Sequence, residues 1–270
     1  VTKRAHALQD LTWSEFAGRL PERPVIVLPL GSQEEQGPHA PMGDFVVAER
    51  IAHAAAARAD AICAPVLPFG YAEFFRGMPG GVQLRGETFR FVLRDMIDAF
   101  TDHDIEHVVV VNGHSTNAPL ILEVTHEVRR KTGLVIPNLN LWRMLPEATW
   151  RQVHGDHAAA ARGHGADPLT SLMLHLTPEL VRGDLIEPAS RRLAFGLPTQ
   201  SQFSGVEFHG MPIDMPLDVT DVASNGVGSG NAALASATAG ATIAEETITR
   251  VADFLQHWRR QDPRQPDRSA

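Results

Sequence analysis

The sequence predicts an α/β protein, a three-layer α/β/α fold around a mainly parallel sheet. Short apolar runs alternate with longer segments of helical character, the order that produces parallel strands joined by helices. Polar clusters follow two of these runs, where open parallel sheets collect their functional residues.

Each element has its own local signal. Residues 11–20 read as a short helix, with Thr12 and Ser14 offering caps. Residues 25–30 form a buried strand, and the Ala-rich stretch 46–59 a helix. A strand over 61–67 stops at Pro68. Residues 87–103 carry apolar side chains at Phe91, Val92, Met96, Ile97 and Phe100, close to a helical stripe. A strand follows at 107–111. The next helix, 118–132, opens just after Asn117 and stops at Gly133. Residues 134–141 read as a strand, 168–176 as a helix, and 232–258 as a long Ala/Thr-rich helix with a loose first turn. Between them, 188–230 is rich in Gly, Pro, Ser, Asp and Met with weak periodicity. It reads as irregular with a short strand or two, and loops of that length are usually functional or intersubunit. Residues 1–260 are taken as one domain, followed by a Pro/Arg/Asp-rich tail, 261–270, expected to be flexible.

The chain has 270 residues, 43% apolar and 21% charged, ordinary for a globular protein. A net charge of −8 argues against a basic surface for nucleic acid. The single cysteine, Cys63, excludes an intrachain disulfide and a Cys-rich zinc site, and reads as an inert core thiol. Residues 1–10 have no apolar signal segment, and no window reaches ~18 apolar residues. A cytoplasmic protein with no membrane partner is expected.

Three clusters carry chemistry. The first strand runs into Gly31-Ser32-Gln33-Glu34-Glu35-Gln36-Gly37-Pro38-His39-Ala40-Pro41 and then Asp44. The 107–111 strand runs into Asn112-Gly113-His114-Ser115-Thr116-Asn117, and a third cluster is His164-Gly165-Ala166-Asp167-Pro168-Leu169-Thr170-Ser171. Carboxylates gathered at a strand end need compensation, which a divalent cation supplies. Glu34, Asp44 and His114 offer a mixed oxygen and nitrogen set suited to Zn²⁺, Mn²⁺ or Fe²⁺ rather than Ca²⁺. Each also has a local reading: Glu34 as a surface carboxylate or cap, Asp44 as the N-cap of the 46–59 helix, His114 as a satisfied turn histidine.

These motifs resemble those of the creatininase (creatinine amidohydrolase) family. There the first reads like Gly-Ser-x-Glu-Gln-His-Gly-Pro-His-Leu-Pro followed by an Asp, the second Asn-Gly-His-Gly-Gly-Asn, and the third His-Ala-Gly-Glu-x-Glu-Thr-Ser. Weaker echoes are Met78-Pro79-Gly80-Gly81-Val82 before Arg85-Gly86-Glu87-Thr88, and Gly226-Val227-Gly228-Ser229-Gly230. The resemblance implies a creatininase-like fold and a binuclear site with Glu34, Asp44 and His114 as ligands, Asp44 bridging. It implies that His164 is catalytic, with Glu34 beside it, and that the protein is a homo-oligomer, often a hexamer. The sequence also departs from the pattern. Gln36 stands where the family usually has a second-ion histidine, and Asp44 comes one residue early. Ser115-Thr116 replaces Gly-Gly, and Leu169 replaces an acid. Asp167 stands where another family acid stands, either as a ligand of the second ion or as an N-terminal residue of the 168–176 helix. One ion, two ions with Asp167 and waters completing the second, and a non-catalytic protein on the same fold all remain open.

The implied activity is hydrolysis, by water activated on the cation, of a non-peptide C–N bond in an amide or cyclic amide of a small polar molecule. His164 would stabilise the tetrahedral intermediate or protonate the leaving group. Ring-opening C–C hydrolysis of a diketo-inositol, deformylation of a pyrimidine nucleotide intermediate and a non-catalytic small-molecule binder are the alternatives. No Gly-x-Ser-x-Gly motif supports a serine hydrolase. Candidate substrate contacts are His39, Gln36, Ser115, Thr116, Tyr71 and Trp142, with Glu73, Phe74, Phe75 and Arg76 in a pocket wall. Arg76, Arg85 and Arg143 are the candidates for binding a phosphate. Glu35 is expected to be solvated, and His154, Asp156 and His157 to form a polar loop near the site. His209 is a candidate to reach a neighbouring subunit.

Overall fold

The computed structural model describes residues 4–200 and 205–266. In chain order its elements are α1 (Trp13–Arg19), β1 (Ile26–Leu30), α2 (Phe45–Ala59), β2 (Ile62–Cys63), α3 (Gly86–Thr101), β3 (Val108–Asn112), α4 (Ala118–Thr132), β4 (Asn138–Asn140), α5 (Glu147–His154), α6 (Ala158–Ala161) and α7 (Leu169–Leu176). Then come β5 (Leu193–Ala194), β6 (Leu197–Pro198), β7 (Gly205–Phe208), β8 (Met211–Asp214), α8 (Val219–Val222) and α9 (Ala237–Trp258).

The central sheet has the order β2-β1-β3-β4, and all its pairings are parallel. Strands β1 and β3 are buried along their whole length, which is why they read as unbroken apolar runs. The pleat sends their side chains to opposite faces. Val27, Val109 and Val111 meet α2, α7 and α9, whereas Ile26, Leu28, Val108 and Val110 meet α3 and α4. Each buried branched side chain contributes roughly 1.5–3 kcal/mol. The expected three-layer α/β/α fold is therefore the one observed.

The chain leaves β1 toward β2, then crosses back to β3 on the other side. The crevice beyond the ends of β1 and β3 is the point where strand order reverses, the usual ligand position in such sheets. Gly31, just past β1, permits this crossing to be tight: a Cβ there would stand 2.4 Å from Phe45 Cα at the start of α2.

Local signals set several boundaries. Thr12 and Glu15 form a capping box on α1, and Gly133 ends α4 at φ +81°. Other boundaries move. The 61–67 run pairs as a strand only at Ile62–Cys63, with one further bridge from Leu67 to Leu30. The 134–141 run narrows to Asn138–Asn140 on β3. The inner face of α3 is Phe89, Leu93 and Ile97, while Phe91 is 62% exposed. The 188–230 region contains the hairpins β5–β6 and β7–β8 and the short α8. Residues 261–266 are docked rather than frayed: Val135 N–H donates to the Pro263 carbonyl (2.8 Å) and Arg264 Nε to Glu106 (2.8 Å). The rest of that tail, 267–270, lies outside the described residues. Among the described residues no helix is long and apolar enough to cross a membrane.

Candidate metal centre

The loops after β1 and β3 bring Glu34, Asp44 and His114 together at the crevice. All three are at most 3% exposed, and one ligand atom from each lies within 4.8 Å of the others. That spread is comparable with the roughly 4 Å across a coordinated ion. Asp44 holds the N-cap position of α2 but makes no side-chain cap. Its carboxylate turns back instead, accepting the Ser32 backbone N–H at Oδ1 (2.6 Å) and standing 2.9 Å from His114 Nδ1 at Oδ2. Glu34 Oε2 is 3.2 Å from the same nitrogen.

The ring of His114 is aimed by its neighbours. Nε2 lies 3.1 Å from the Tyr71 carbonyl, so an N–H there donates to that oxygen. The lone pair of Nδ1 then points at the two carboxylates, the tautomer a metal ligand needs. Asn112 fixes the loop on both sides, accepting from His114 N–H (3.1 Å) and donating to the His114 carbonyl (2.8 Å). Asn117 ties in two more segments, donating to Gly31 O (3.2 Å) and accepting from Tyr71 N–H (2.8 Å). Ser32, Asn112 and Asn117 stand inside the sequence motifs, but their positioning roles emerge only from these contacts.

The donor set fits a divalent cation. Glu34 Oε2 is buried with no hydrogen-bond partner. Two carboxylates and an imidazole lone pair cannot share so small a buried space without a proton or a cation between them. In the metal-free protein a proton serves. Burial opposes charge on His114, but the Glu34 and Asp44 carboxylates override it and hold its pKa well above the ordinary value. Burial pushes Asp44 up to about 6, with His114 pulling in the opposite direction.

A second cluster lies alongside. His164 Nε2 stands 3.0 Å from Glu35 Oε1, and its ring stacks on Phe75 with centroids 4.4 Å apart. Phe75 also borders His114, at 6.2 Å. Glu35 is 8% exposed, not solvated, and its Oε2 accepts the Gly37 N–H (2.7 Å). Burial works against the charged forms of both partners. Their attraction prevails, so His164 lies above its ordinary pKa and Glu35 below its own. Gly226, at φ +79°, lets the glycine-rich segment cover this pair: a Cβ there would fall 2.0 Å from Glu35 Oε2.

The other candidates are distributed as follows. Gln36 is buried, and its Nε2 donates to Glu34 Oε1 (3.2 Å). Thr116 Oγ1 donates to the Tyr71 carbonyl beside His114, and Ser115 is exposed next to it. Tyr71 thus contributes its carbonyl to the centre, while its ring packs against the α3/α4 core. Trp142 donates its indole N–H to the Gly113 carbonyl, buttressing the His114 loop from outside. His39 sits 3.1 Å from Thr170 Oγ1 on α7, rather than on Glu34. Asp167 is not brought to the centre: Oδ2 meets His154 Nε2 (2.7 Å) and Ser171 Oγ (2.6 Å), and Oδ1 accepts the Ser171 N–H (2.9 Å). His154 accordingly ends a helix, α5, rather than lying in a polar loop. Leu169 packs in the apolar core. His209 occupies the exposed turn between β7 and β8. The Cys63 thiol, pushed by burial up to about 12, is inert.

An α/β scaffold with a carboxylate–imidazole cluster at its topological switch point has that cluster where open parallel sheets bind their ligands. The creatininase family model, described as creatinine amidohydrolase, matches residues 9–255, and this chain belongs to that family. It is 27% identical over 177 residues to the 3-dehydro-scyllo-inosose hydrolase of Thermotoga maritima, a match covering 64% of this chain and 57% of that protein. It is 24% identical over 253 residues to the mycofactocin precursor peptide peptidase of Mycolicibacterium smegmatis, covering 91% of this chain and 87% of that one. The fold superposes with a TM-score of 0.79 on a creatininase variant in its zinc–zinc form, at 24% identity over 94% of this chain and 98% of that one.

Proposed function

We propose that this creatininase-family protein is a metal-dependent hydrolase that cleaves a C–N bond in a small polar amide or cyclic amide. The observation that carries this is the convergence of Glu34, Asp44 and His114, with Glu34 Oε2 left without a hydrogen bond and His114 Nδ1 turned toward both carboxylates. Zn²⁺, or alternatively Mn²⁺ or Fe²⁺, is the cation these ligands suit. When bound it supplies a water of lowered pKa and a Lewis acid for the substrate carbonyl.

The chain's own groups do the rest. Glu34, Asp44 and His114 hold the cation, and Ser32, Asn112 and the Tyr71 carbonyl keep them aimed. His164 carries a proton beside the site, held by Glu35 and Phe75, and delivers it to the leaving nitrogen. Gln36, Thr116 and Ser115 offer amide and hydroxyl groups at the approach for binding substrate polar atoms, and His39 and Trp142 steady the surrounding loops. Homo-oligomerisation is part of this reading, supported by the exposed Leu193 and Phe195 of the β5–β6 hairpin, and sedimentation as a single ~29 kDa chain would refute it.

A second reading extends the C–N bond to that of a short peptide. It is favoured by the peptidase relative, whose match spans most of both chains. One assay addresses both. Protein stripped with a chelator and reloaded with Zn²⁺ or Mn²⁺ is incubated with amides, lactams and short peptides, and amine release is followed. Hydrolysis is expected with reloaded wild type and not with His114→Ala. No turnover of any member of the panel would refute the hydrolase reading.

A further inference from the structure

Resting on that reading, we propose that the centre holds one divalent cation per chain, not a pair. Among the described residues, the acids and the amide of the motifs that could anchor a second cation here are engaged elsewhere, and His39 turns its Nε2 to Thr170 Oγ1, leaving only its buried Nδ1 without a partner. Glu35 follows Glu34 directly, yet one of its oxygens faces His164 and the other accepts from Gly37. Gln36 directs an amide N–H, not a lone pair, at Glu34. Asp167 uses both oxygens on His154 and Ser171. Leu169 lies in hydrocarbon, and the Thr116 hydroxyl donates to the Tyr71 carbonyl. Among the described residues one set of three candidate ligands forms, and it is this one.

Charge points the same way. Glu34 and Asp44 neutralise one dication between them. A second would place two further positive charges among groups at most 3% exposed. The cost of an unpaired buried ion is several kcal/mol. A zinc–zinc form is known for a creatininase with this fold, so the scaffold itself accommodates a pair. The difference lies in which side chains of this chain are left to hold one.

The test is metal stoichiometry. Stripped protein is saturated with Zn²⁺, desalted and assayed by elemental analysis. The same is done with Mn²⁺, read by electron paramagnetic resonance. About one ion per chain is expected, with the spectrum of an isolated Mn²⁺, for wild type, Glu35→Gln and Asp167→Asn alike. Should Asp167→Asn fail to fold, His154→Gln perturbs the same cluster and gives the same readout. Two ions, an exchange-coupled Mn²⁺ spectrum, or a halved content in Glu35→Gln or Asp167→Asn would overturn the single-ion proposal while leaving the hydrolase reading intact. No ion in any sample would overturn both.

Discussion

Two buried clusters in this molecule use the same chemical groups and reach opposite states. At His154, the carboxylate of Asp167 finds an imidazole, a hydroxyl and a backbone N–H. The hydroxyl of Ser171 in turn accepts the N–H of Ser236, the N-cap of α9. At His114, two carboxylates crowd one imidazole nitrogen, and Glu34 Oε2 is left without a hydrogen bond. The first cluster is complete as it stands and ties α5, α7 and α9 together. The second is short of positive charge. Residue type does not distinguish a metal ligand from a structural clamp; the hydrogen-bond count around each oxygen does.

The sharpest way to break this comparison is to remove one member of each cluster. His114→Ala or Glu34→Gln is expected to lower metal affinity by more than the roughly 10–100-fold that an outer partner costs. Elemental analysis after desalting reads this directly. Asp167→Ala is expected to leave metal content unchanged and to cost about 2–4 kcal/mol of stability, because it strips partners from His154 and Ser171. Urea unfolding of the metal-free protein measures that. If Asp167→Ala lost metal and kept its stability, the two clusters would have been assigned the wrong way round.

Acidity sharpens the comparison further, because a cluster short of positive charge collects protons. The folded pKa of Asp44 is raised from 3.8 to about 6, and that of His114 is raised well above 6.5. The folded metal-free protein therefore binds protons that the unfolded chain does not. The stability from this source is fully present below the unfolded values and is lost as pH rises through the folded ones. For Asp44 that window runs from 3.8 to about 6, and for His114 it opens at 6.5 and extends upward. A cation displaces these protons, so loading reverses the trend. The stabilisation by added Zn²⁺, about 2.7 kcal/mol at a hundred times Kd, is expected to grow from about pH 5 to about pH 8. Thermal melts with and without metal across that range check it. A pH-independent increment would show that no proton is exchanged.

The fold was legible where signals are local. Asn117 and Gly133 bracket α4 at its observed ends, and the β1 and β3 runs are apolar because both faces are covered. The three residues that converge at the candidate centre were legible too, since each follows a strand end. What sequence could not show was satisfaction. Glu35 looks like a solvated neighbour of Glu34 until the fold brings His164 to it from 129 residues away. Asp167 looks like a ligand until α5 brings His154 against it. Asp44 looks like a helix cap, and only the backbone of Ser32 and the ring of His114 show that its side chain turns the other way. Strand lengths failed for a related reason. The 134–141 run loses its first half because Pro137 has no N–H to donate to β3, so pairing begins only at Asn138.

The smallest expected effect concerns Trp142, which the sequence offers as a cover for substrate and the structure places behind the His114 loop. Its indole N–H donates to the carbonyl of Gly113. Trp142→Phe keeps most of the ring and removes that donor, so the cost in stability is expected to be about 1 kcal/mol. The loop it supports carries His114 but is also held by Asn112 and Asn117. Metal affinity should therefore fall by less than about 10-fold, below the range usual for a direct orienting partner. A buttress predicts that any catalytic loss follows metal occupancy and disappears at saturating Zn²⁺. A substrate contact predicts a raised KM that persists at saturation. Measuring KM on loaded protein separates the two, and a persistent rise would move Trp142 from the supporting frame into the binding surface.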